Sequence, residues 1–553
     1  LSLHDALPIL GYLMILIIVI FAVYYVVNDK KGKLEVFKRY HGEEKRIVTA
    51  IDDIRCFFDM REEDEYTLDD QTWYDLNMDE VFRKIDRSYS SVGEAILYSM
   101  LRNPLINKEE IVERGKNIEA IKNDIDLRAK LKLIFFNLGY DKKNRFIEMI
   151  ESERKPNKSK YIIYNILGKV MPITFLLLSI FLQRPEFLAA LALNMWINLF
   201  IAEKERKNVS TGGLIYLNRM LDAAEKIGKL KGESIVNNEE IKKVMKGLQG
   251  VVSKISIIHI FTMYGGFLEI FSVPFLTVES AYYGVINELN DKKESILKLY
   301  ELLGEIEAYI SICGFIEAKE EYITKPVFKN QVNINIVNGI HPLLEEPVAN
   351  TIHLNKKGMV LTGSNMSGKS TFLRMVGVNI ILAQVFDLVL AEKYEGSIFN
   401  IVTSISPKDD VNAGKSYYMA EVEGILRIIE ALKKEVPVFC MIDEIFRGTN
   451  PIERVASSAA ILEYINRYNA ITFVATHDRE LTDMLNDKYE FRYFAENVDK
   501  KNGMTFDYKI KNGISKTRNA IKVLEYVGYP KEITEYSKEY AKELDKIIWF
   551  MYL

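Results

Sequence analysis

Long apolar runs interrupt this charged chain, and the first two have the length of membrane helices. Residues 8–27 are uncharged and rich in Ile, Leu and Val, close to the roughly 20 residues that a helix needs to cross a bilayer. Residues 161–202 form a second run, and the polar residues 183–186 within it predict two apolar helices joined by a tight turn. Basic residues follow the first run and flank the second, which places these flanks in the cytoplasm. We therefore expect a multi-pass membrane protein whose N-terminus faces outward.

Two alternatives to membrane insertion follow from polar residues inside these runs. Lys169 and Asn194 lie within the second run, so a pair of buried core helices is the alternative there. A third apolar run, 255–283, contains His259 and Glu269 among other polar residues. For this run the pattern favours a buried helical hairpin over a further membrane segment.

Three short apolar runs in the C-terminal half predict buried strands. Residues 358–362 precede a glycine-rich loop, and 371–384 continue from that loop with helical periodicity. The other two runs are 437–442 and 470–475, and each is followed by polar residues. A strand, a glycine-rich loop and a helix in succession are the context that makes a phosphate-binding loop specific.

The glycine-rich loop has the residue types that hold nucleotide phosphates. Gly363 and Gly368 allow backbone amides to wrap the phosphates, and the helix that follows adds the positive end of its dipole. Lys369 reaches the β and γ oxygens, and the Ser370 hydroxyl is a ligand for Mg²⁺. The complete loop is Gly363, Ser364, Asn365, Met366, Ser367, Gly368, Lys369 and Ser370. The sequence therefore predicts binding of ATP with Mg²⁺.

Polar residues at the ends of the other two strands supply candidate catalytic groups. Asp443 is placed to hold Mg²⁺, directly or through water, and Glu444 to orient and deprotonate the attacking water. His477 follows the third strand, where its imidazole could sense the γ-phosphate. We expect an ATPase that produces ADP and phosphate.

These motifs carry a family resemblance. The loop 362–371 with its Asn365-Met366 pair, then Ala383-Gln384, then 443–449 and 476–478, resemble the ATPase domain of the MutS mismatch-repair family, a branch of the ABC-type ATPases. His341-Pro342 is similar to the family's entry into this domain. The resemblance implies nucleotide contacts from Thr371 and Gln384. Residues 414–421 are similar to the family's signature region, which implies that Ser416 contacts nucleotide in trans and that the chain forms a homodimer through its ATPase domains.

The resemblance extends weakly backwards and gives a domain plan. We expect a transmembrane segment at 1–28, a cytoplasmic linker at 29–69 and a helical MutS-like core and lever domain at 70–325, with the membrane hairpin at 161–202 inside it. The ATPase domain follows at 326–553, in the cytoplasm. The expected fold is thus an α/β P-loop NTPase domain of ABC type, preceded by an all-α domain with transmembrane helices.

Composition adds little about the substrate. The net charge of −4 over 553 residues gives no global attraction to nucleic acid. The three cysteines are widely spaced, which favours buried small apolar residues over a disulfide framework or a zinc site.

The chain departs from the repair proteins at several places. Residues 28–70 are too short for a mismatch-reading domain, and Phe446, Glu453 and Arg454 replace residues that the family prefers. The first hypothesis is a membrane-anchored MutS-like ATPase whose nucleotide cycle opens and closes a dimer, with DNA binding in a mismatch-repair-related role implied by resemblance. A mechanical or scaffold protein without DNA binding is the alternative, a membrane-tethered DNA-binding protein is a second, and an ABC-type transport component ranks last.

Overall fold

The computed structural model describes residues 49–551 apart from short gaps, together with 14, 21, 24, 25 and 27–39. The gaps within 49–551 are 153–154, 207, 210, 231–236, 264–271, 365–366, 407–416, 447–448, 479, 500–502 and 516–519. The expected membrane segment at 8–27 therefore lies almost wholly outside the described residues.

Helices make up most of the first 320 residues, whereas helices and strands alternate after them. The helices are α1 (Ile51–Asp59), α2 (Asp70–Asp75), α3 (Met78–Ile85), α4 (Ser91–Arg102), α5 (Lys108–Asn123), α6 (Ile125–Leu138), α7 (Arg145–Glu151), α8 (Lys158–Asn165), α9 (Met171–Leu182), α10 (Glu186–Glu205), α11 (Gly212–Gly228), α12 (Asn238–Gly247), α13 (Gln249–Met263), α14 (Thr277–Ala318), α15 (Lys369–Phe386), α16 (Tyr417–Ala431), α17 (Pro451–Ile465), α18 (Glu480–Met484), α19 (Ala520–Val527) and α20 (Lys531–Met551).

The strands form three sheets in the C-terminal half. They are β1 (Ile323–Thr324), β2 (Val327–Phe328), β3 (Asn333–Gly339), β4 (Asn350–Asn355), β5 (Gly358–Thr362), β6 (Val389–Leu390), β7 (Lys393–Gly396), β8 (Asn400–Ser404), β9 (Val438–Asp443), β10 (Ala470–Ala475), β11 (Tyr489–Asp499) and β12 (Gly503–Asn512). The largest has six strands in the order β12-β11-β5-β10-β9-β8. Its strands run parallel except β12, which pairs with β11 in the antiparallel sense.

The chain divides into two compact units, and both are assembled from separate stretches. The first contains Leu1–Glu62, Ile85–Ser99 and Lys116–Ala318. The second contains Glu63–Lys84, Met100–Gly115 and Lys319–Leu553. The domain plan from sequence separates the helical domain from the ATPase domain at residue 325, whereas two early stretches of the chain pack with the C-terminal half.

The first unit is organised around the long helix α14. At 42 residues, α14 is roughly 63 Å long. Its buried Glu307 accepts hydrogen bonds from the backbone amides of Tyr89 (2.6 Å) and Ser90 (3.1 Å), and from the Ser90 hydroxyl. These donors satisfy a carboxylate that would otherwise be costly to bury, and they fix the start of α4 against α14.

The apolar run at 161–202 forms the two antiparallel helices that the sequence predicts, and they lie in the first unit. A five-residue π-helix, Ile166–Val170, joins α8 to α9, and α10 returns after a turn. The stretches Lys158–Leu182 and Glu186–Glu205 are long and apolar enough to cross a membrane, and few of their residues are buried. We call this pair the apolar hairpin.

Polar side chains stabilise the inner face of the apolar hairpin. Asn194 and Asn198 are buried on one face of α10, and the Asn198 amide donates to the carbonyls of Leu167 (3.0 Å) and Pro274 (2.7 Å). The Leu167 carbonyl belongs to the π-helix, whose altered bonding leaves carbonyls in need of donors. Lys169, in contrast, is exposed and donates to the Asn165 side chain one turn earlier.

The third apolar run is only partly described. Its first part lies in α13, where Ile255 and Ile258 are buried, and its last part opens α14, which is buried from 279 to 286. The described parts are thus buried at the start of α14 but only partly along α13, where Ile260 is 48% exposed, so the core hairpin stays a prediction. By length and composition alone, Asn238–Gly247 with Gln249–Phe261 would also qualify as a broken span, bent by 78°.

Candidate functional site

The carboxyl ends of three neighbouring strands form the edge of the candidate site. Ala475, at the end of β10, pairs with Leu361 of β5 on one side and with Asp443 of β9 on the other. The glycine-rich loop, the two acids and the histidine therefore leave the sheet side by side, where open α/β sheets bind ligands. The three strands predicted from sequence are confirmed in position.

Backbone geometry explains the glycines of the loop. Gly363 and Gly368 have φ values of +148° and +106°, and α15 begins at the next residue, Lys369. A Cβ atom on Gly363 would lie 2.9 Å from the Ser367 hydroxyl and 3.0 Å from the Phe494 carbonyl oxygen. These positions therefore require glycine, both for conformation and for space.

The side chain of Lys369 lies against the backbone of the phosphate-binding loop. Its side chain is buried, and its ammonium donates to the carbonyls of Gly363 and Ser364, each at 2.9 Å. A buried cation held by loop carbonyls is a suitable partner for an anionic group entering the loop. The buried hydroxyl of Ser367 has no hydrogen-bond partner among the described residues, so a ligand atom could also be accommodated there.

Ser370 and Asp443 fit a Mg²⁺ ion that is also bound by phosphates. The Ser370 hydroxyl donates to Asp443 Oδ2 at 2.5 Å, so two hard oxygen donors lie together at the start of α15. Within the described residues, no cluster of three or more His, Cys, Asp or Glu side chains could hold a metal alone. This agrees with Mg²⁺ chemistry, because Mg²⁺ takes few protein ligands and completes its octahedron with phosphate and water.

Glu444 and His477 meet beside this pair. Glu444 has a φ of +62°, its amide donates to the Ala475 carbonyl at 2.8 Å, and His477 Nε2 lies 3.2 Å from its Oε1. A non-glycine residue with this φ is uncommon and concentrates at functional sites. Both side chains are partly exposed, at 24% for Glu444 and 41% for His477, so water can reach them.

A cavity of about 1010 Å³, large enough for a nucleotide, is lined by several of these groups, whereas His477 is not among its lining residues. Lys369, Ser370, Thr371, Asp443 and Glu444 line it, as the sequence predicts. The motifs did not anticipate the remaining walls, which include Asn350, Phe494 and Tyr508.

Tyr508 closes the cavity through a fixed backbone arrangement. Its φ is +52°, and its ring carbon would lie 3.3 Å from a Cβ atom on Gly368. The Asn350 amide donates to the Tyr508 carbonyl at 3.0 Å and accepts from the Ile510 amide at 2.8 Å. Asn350, at the start of β4, thus fixes the position of Tyr508 in β12, about 160 residues later. No local sequence pattern predicts this contact.

His341 is a further lining residue whose environment is unusual for histidine. Its Nδ1 accepts from the Leu343 amide at 3.3 Å, and its buried Nε2 has no partner among the described residues. Burial, with a smaller contribution from the positive charge of Arg374, lowers the pKa of His341 from 6.5 to about 4. The imidazole is therefore neutral at physiological pH.

Gln384, which was expected to contact the nucleotide, lies away from the site. Gln384 lies fifteen residues after Lys369 on α15, about 22 Å along the axis. Its buried amide donates to the carbonyls of Leu105 and Phe399 and accepts from the Phe399 amide. Contrary to the expectation, Gln384 fixes the entry to β8 and does not line the cavity. Asn365, Met366 and Ser416 lie outside the described residues.

Phe446 keeps a backbone conformation that favours glycine. Its φ is +58°, and its buried ring packs against Tyr418 with centroids 5.7 Å apart. The packing compensates for the strain that a side chain suffers in the left-handed region. Cys313 and Cys440 are buried free thiols, as expected, and burial raises the pKa of each to about 12, whereas Cys56 is only partly buried, contrary to the expectation.

The sheet, the loop and the strand-end acids define a P-loop domain of the ATPase type. Residues 359–545 match the family model MutS domain V. The chain is also 26% identical over 527 residues to a DNA mismatch repair protein MutS from Fusobacterium nucleatum, with 83% of this chain and 56% of that protein covered. The chain is thus similar to the MutS family, in its ATPase region by the family model and over most of its length by the relative.

Other relatives have the same description. The chain is 27% identical over 521 residues to the DNA mismatch repair protein MutS of Caldanaerobacter subterraneus, covering 84% of this chain and 58% of that protein. It is 34% identical over 276 residues to that of Petrotoga mobilis, covering 48% and 33%. The chain thus spans somewhat more than half the length of the relatives that it matches most extensively.

Proposed function

We propose that this protein is a membrane-anchored MutS-type ATPase in which ATP binding and hydrolysis close and open a homodimer. The observation that carries the proposal is that Lys369, the Ser370–Asp443 pair and Glu444 line one cavity, with His477 in contact with Glu444. Relatives in the MutS family support the same activity, because the matched region is the family's ATPase domain.

Each residue has a defined task in this proposal. Lys369 and the loop amides bind the β and γ phosphates, while Ser370 and Asp443 hold Mg²⁺. Mg²⁺, when bound, neutralises charge on the phosphate oxygens. Glu444 orients the attacking water and accepts its proton, and His477, which contacts Glu444, senses the γ-phosphate.

The dimer follows from the expected role of Ser416. In this proposal Ser416 of one subunit completes the nucleotide site of its partner, so that bound ATP favours the closed pair and hydrolysis releases it. Such a switch needs only that ATP binds the closed state more tightly than the open one. The helical unit, with its long helix α14, then serves as the moving lever.

The apolar hairpin supports anchoring in a bilayer. Its outward side chains are large and apolar, including Ile180 and Phe181 at 63% and 79% exposed, whereas its asparagines face inward. Exposed Lys169 directs its ammonium towards Asn165, one turn closer to the base of the hairpin, as a lysine that snorkels towards the interface does. With the basic flanks inside, the ATPase unit is cytoplasmic.

The similarity to MutS proteins suggests DNA as a binding partner. The matched relatives are DNA mismatch repair proteins by description, and we propose DNA binding in a related role. The alternative is a mechanical or scaffold protein that uses the same ATPase cycle without DNA, and the apolar hairpin inside the helical unit favours it.

Turnover by the full-length protein in detergent tests the ATPase proposal. Glu444→Gln should lower kcat by a factor of about 100 or more and trap a dimer in ATP, because the amide cannot accept a proton. Glu453→Gln, which changes an exposed carboxylate on α17, is the matched control and should retain wild-type turnover. Wild-type turnover by Glu444→Gln would remove Glu444 from its role.

Gel-shift titrations distinguish the DNA-binding function from the scaffold function without DNA. Homoduplex, mismatched and branched DNA should each be tested across a salt series, since phosphate contacts weaken steeply as salt rises. A salt-dependent shift supports the DNA role, and the absence of any shift at low salt leaves the scaffold function.

Flotation with lipid vesicles tests the anchor. In protein lacking residues 1–28, so that the other expected membrane segment is removed, the double change Ile180→Asp and Phe181→Asp should abolish co-flotation, because two charges at the tip of the hairpin would have to enter hydrocarbon. Ile452→Asp alters an isoleucine that is 78% exposed on α17 and should float like the wild type. Equal flotation of all three proteins would contradict anchoring through the hairpin.

A further inference from the structure

Asp75 is a fully buried carboxylate that receives only hydrogen-bond donors. It lies at the end of α2, in the early stretch of chain that packs with the second unit. Its Oδ2 accepts from the Thr403 hydroxyl (2.7 Å) and the Ile405 amide (2.8 Å). Its Oδ1 accepts from the Ser406 amide (2.9 Å) and the Gln71 side chain (2.8 Å). Both oxygens therefore fix the chain as it leaves β8.

Neighbouring contacts strengthen the same junction. The Thr403 amide donates to the Thr72 hydroxyl at 3.2 Å. Two residues of α2, Thr72 and Asp75, therefore bind the edge strand β8. Arg374, on α15 just beyond the phosphate-binding loop, donates from Nε to the Asp75 carbonyl at 2.7 Å. One short helix is thus tied to both the loop's helix and the strand at the edge of the sheet.

The chain that Asp75 fixes belongs to the nucleotide cavity. Ile405 and Ser406 both line it, on the side of Asp443. Ser406 is also the last described residue before 407–416, the stretch that ends at Ser416. Its amide is held by Asp75, and its carbonyl receives a further hydrogen bond from Gln71 at 3.2 Å.

Only a carboxylate satisfies this arrangement. All four donors point at the two oxygens of Asp75, and an asparagine would place an NH₂ group against at least one N–H or O–H donor. A buried donor left without an acceptor is costly, so the 403–406 backbone would move to find another partner. The two acceptor oxygens at position 75 thus hold the backbone of a cavity wall.

We propose that Asp75 is a positioning residue for the nucleotide site. It holds the backbone of Ile405 and Ser406 in the conformation that forms their part of the nucleotide cavity wall. The inference rests on the proposed function, because it assigns Asp75 to the closed, hydrolytic state rather than to nucleotide capture by Lys369. In this proposal the stretch 63–84 helps to position the nucleotide site of an ATPase domain that begins more than 200 residues later in the chain.

The test compares three changes in the full-length protein. Asp75→Asn removes the charge, and Thr403→Val removes one donor to Asp75 while keeping the shape of the side chain. Asp79→Asn is the matched control, because Asp79 lies in the same stretch and accepts from the Trp73 indole at 2.7 Å, away from 403–406. Steady-state ATP hydrolysis and nucleotide affinity are measured for each, with hydrogen exchange at the Ile405 and Ser406 amides.

We expect kcat to fall about tenfold in Asp75→Asn and about threefold in Thr403→Val, with nucleotide affinity within about twofold of the wild type. The double variant should resemble Asp75→Asn, because both changes act through one contact. Amide exchange at 405 and 406 should accelerate in both variants and stay slow in Asp79→Asn.

Two results overturn the inference. One is wild-type kcat in Thr403→Val and Asp75→Asn, and the other is amide exchange at 405 and 406 that neither change accelerates. Should Asp75→Asn fail to fold, Thr403→Val with the exchange data decides. A wild-type protein without ATP turnover would refute the proposed function, whereas the exchange measurement would still test the role of Asp75.

Discussion

Arg454 and Asp478 form a two-pronged ion pair beside the candidate catalytic residues. Arg454 Nε lies 2.9 Å from Asp478 Oδ2, and Nη2 lies 2.6 Å from Oδ1. Arg454 belongs to the first turn of α17, and Asp478 follows His477 directly. The pair therefore ties the start of a helix to the backbone that presents the histidine to Glu444.

Reversing one charge of this pair should lower turnover, and reversing both should restore much of it. Arg454→Asp or Asp478→Arg places like charges together and displaces His477, so we expect kcat to fall about tenfold with little change in ATP affinity. Bidentate, partly buried pairs of this kind contribute about 1 to 3 kcal/mol, which the double-mutant cycle measures.

The control for this cycle is a second ion pair on the same helix. Lys488 contacts Glu463 of α17 in an exposed position, so Glu463→Lys should leave turnover unchanged. If the double reversal at 454 and 478 is no more active than the single reversals, the pair does not position His477.

Gly368→Ala should weaken nucleotide binding strongly, although it should lower the free energy of unfolding only slightly. The added methyl group must adopt a φ near +106° and lies 3.3 Å from Tyr508, so the loop that wraps the phosphates has to move. Gly513 has nearly the same φ, +105°, with open space around it. Both alanine variants should lose about 1 kcal/mol of unfolding free energy, but fluorescent-nucleotide titration should show at least tenfold weaker binding for Gly368→Ala alone. Equal affinities would contradict the cradle geometry.

His341 should make the protein less stable in mild acid. Its pKa is lowered to about 4 in the fold against 6.5 when unfolded, so the unfolded chain takes up the proton first. The stability that the neutral imidazole contributes is present above pH 6.5, is lost as the pH falls towards 4, and amounts to about 3 kcal/mol over that window.

Denaturant unfolding at pH 7, 5.5 and 4 checks this pH dependence by comparison with His341→Gln, which cannot titrate. The wild type should lose more unfolding free energy than the variant as the pH falls. His353→Gln alters an exposed histidine on β4 and should follow the wild type. Parallel curves for the wild type and His341→Gln would show that the buried imidazole does not contribute.

The two buried asparagines of the apolar hairpin should respond differently to leucine. Asn198→Leu removes donors to the Leu167 and Pro274 carbonyls, and we expect a loss of about 1 to 2 kcal/mol. The Asn194 side-chain oxygen is buried without a partner among the described residues, so Asn194→Leu should be neutral or stabilising. Thermal unfolding in detergent measures both, and equal destabilisation would contradict the assigned role of Asn198.

Local patterns were sufficient to predict the centre of the site. The strands β5, β9 and β10 are apolar runs that end in distinctive polar residues, and parallel pairing brings such ends together. The loop glycines and Lys369 were identifiable because their spacing matches a known physical task.

Long-range contacts were beyond sequence patterns. Asp75 meets Thr403 across 328 residues, and no periodicity relates a six-residue helix to a distant strand edge. The wall formed by Tyr508 depends on strand register, which β11 and β12 establish with an irregularity between Phe494 and Glu496. Gln384 was expected at the site from resemblance alone, although its position fifteen helical residues after Lys369 already places it about 22 Å along the axis from the loop.

The interleaving of the two units sets an order of events during synthesis. The stretch ending at Lys84 leaves the ribosome roughly 20 to 90 s before β12 does, at ordinary elongation rates. The apolar hairpin emerges within that interval, ahead of every strand of the large sheet. The ATPase is therefore still incomplete when the hairpin emerges, so that nucleotide binding begins only after the hairpin has been made.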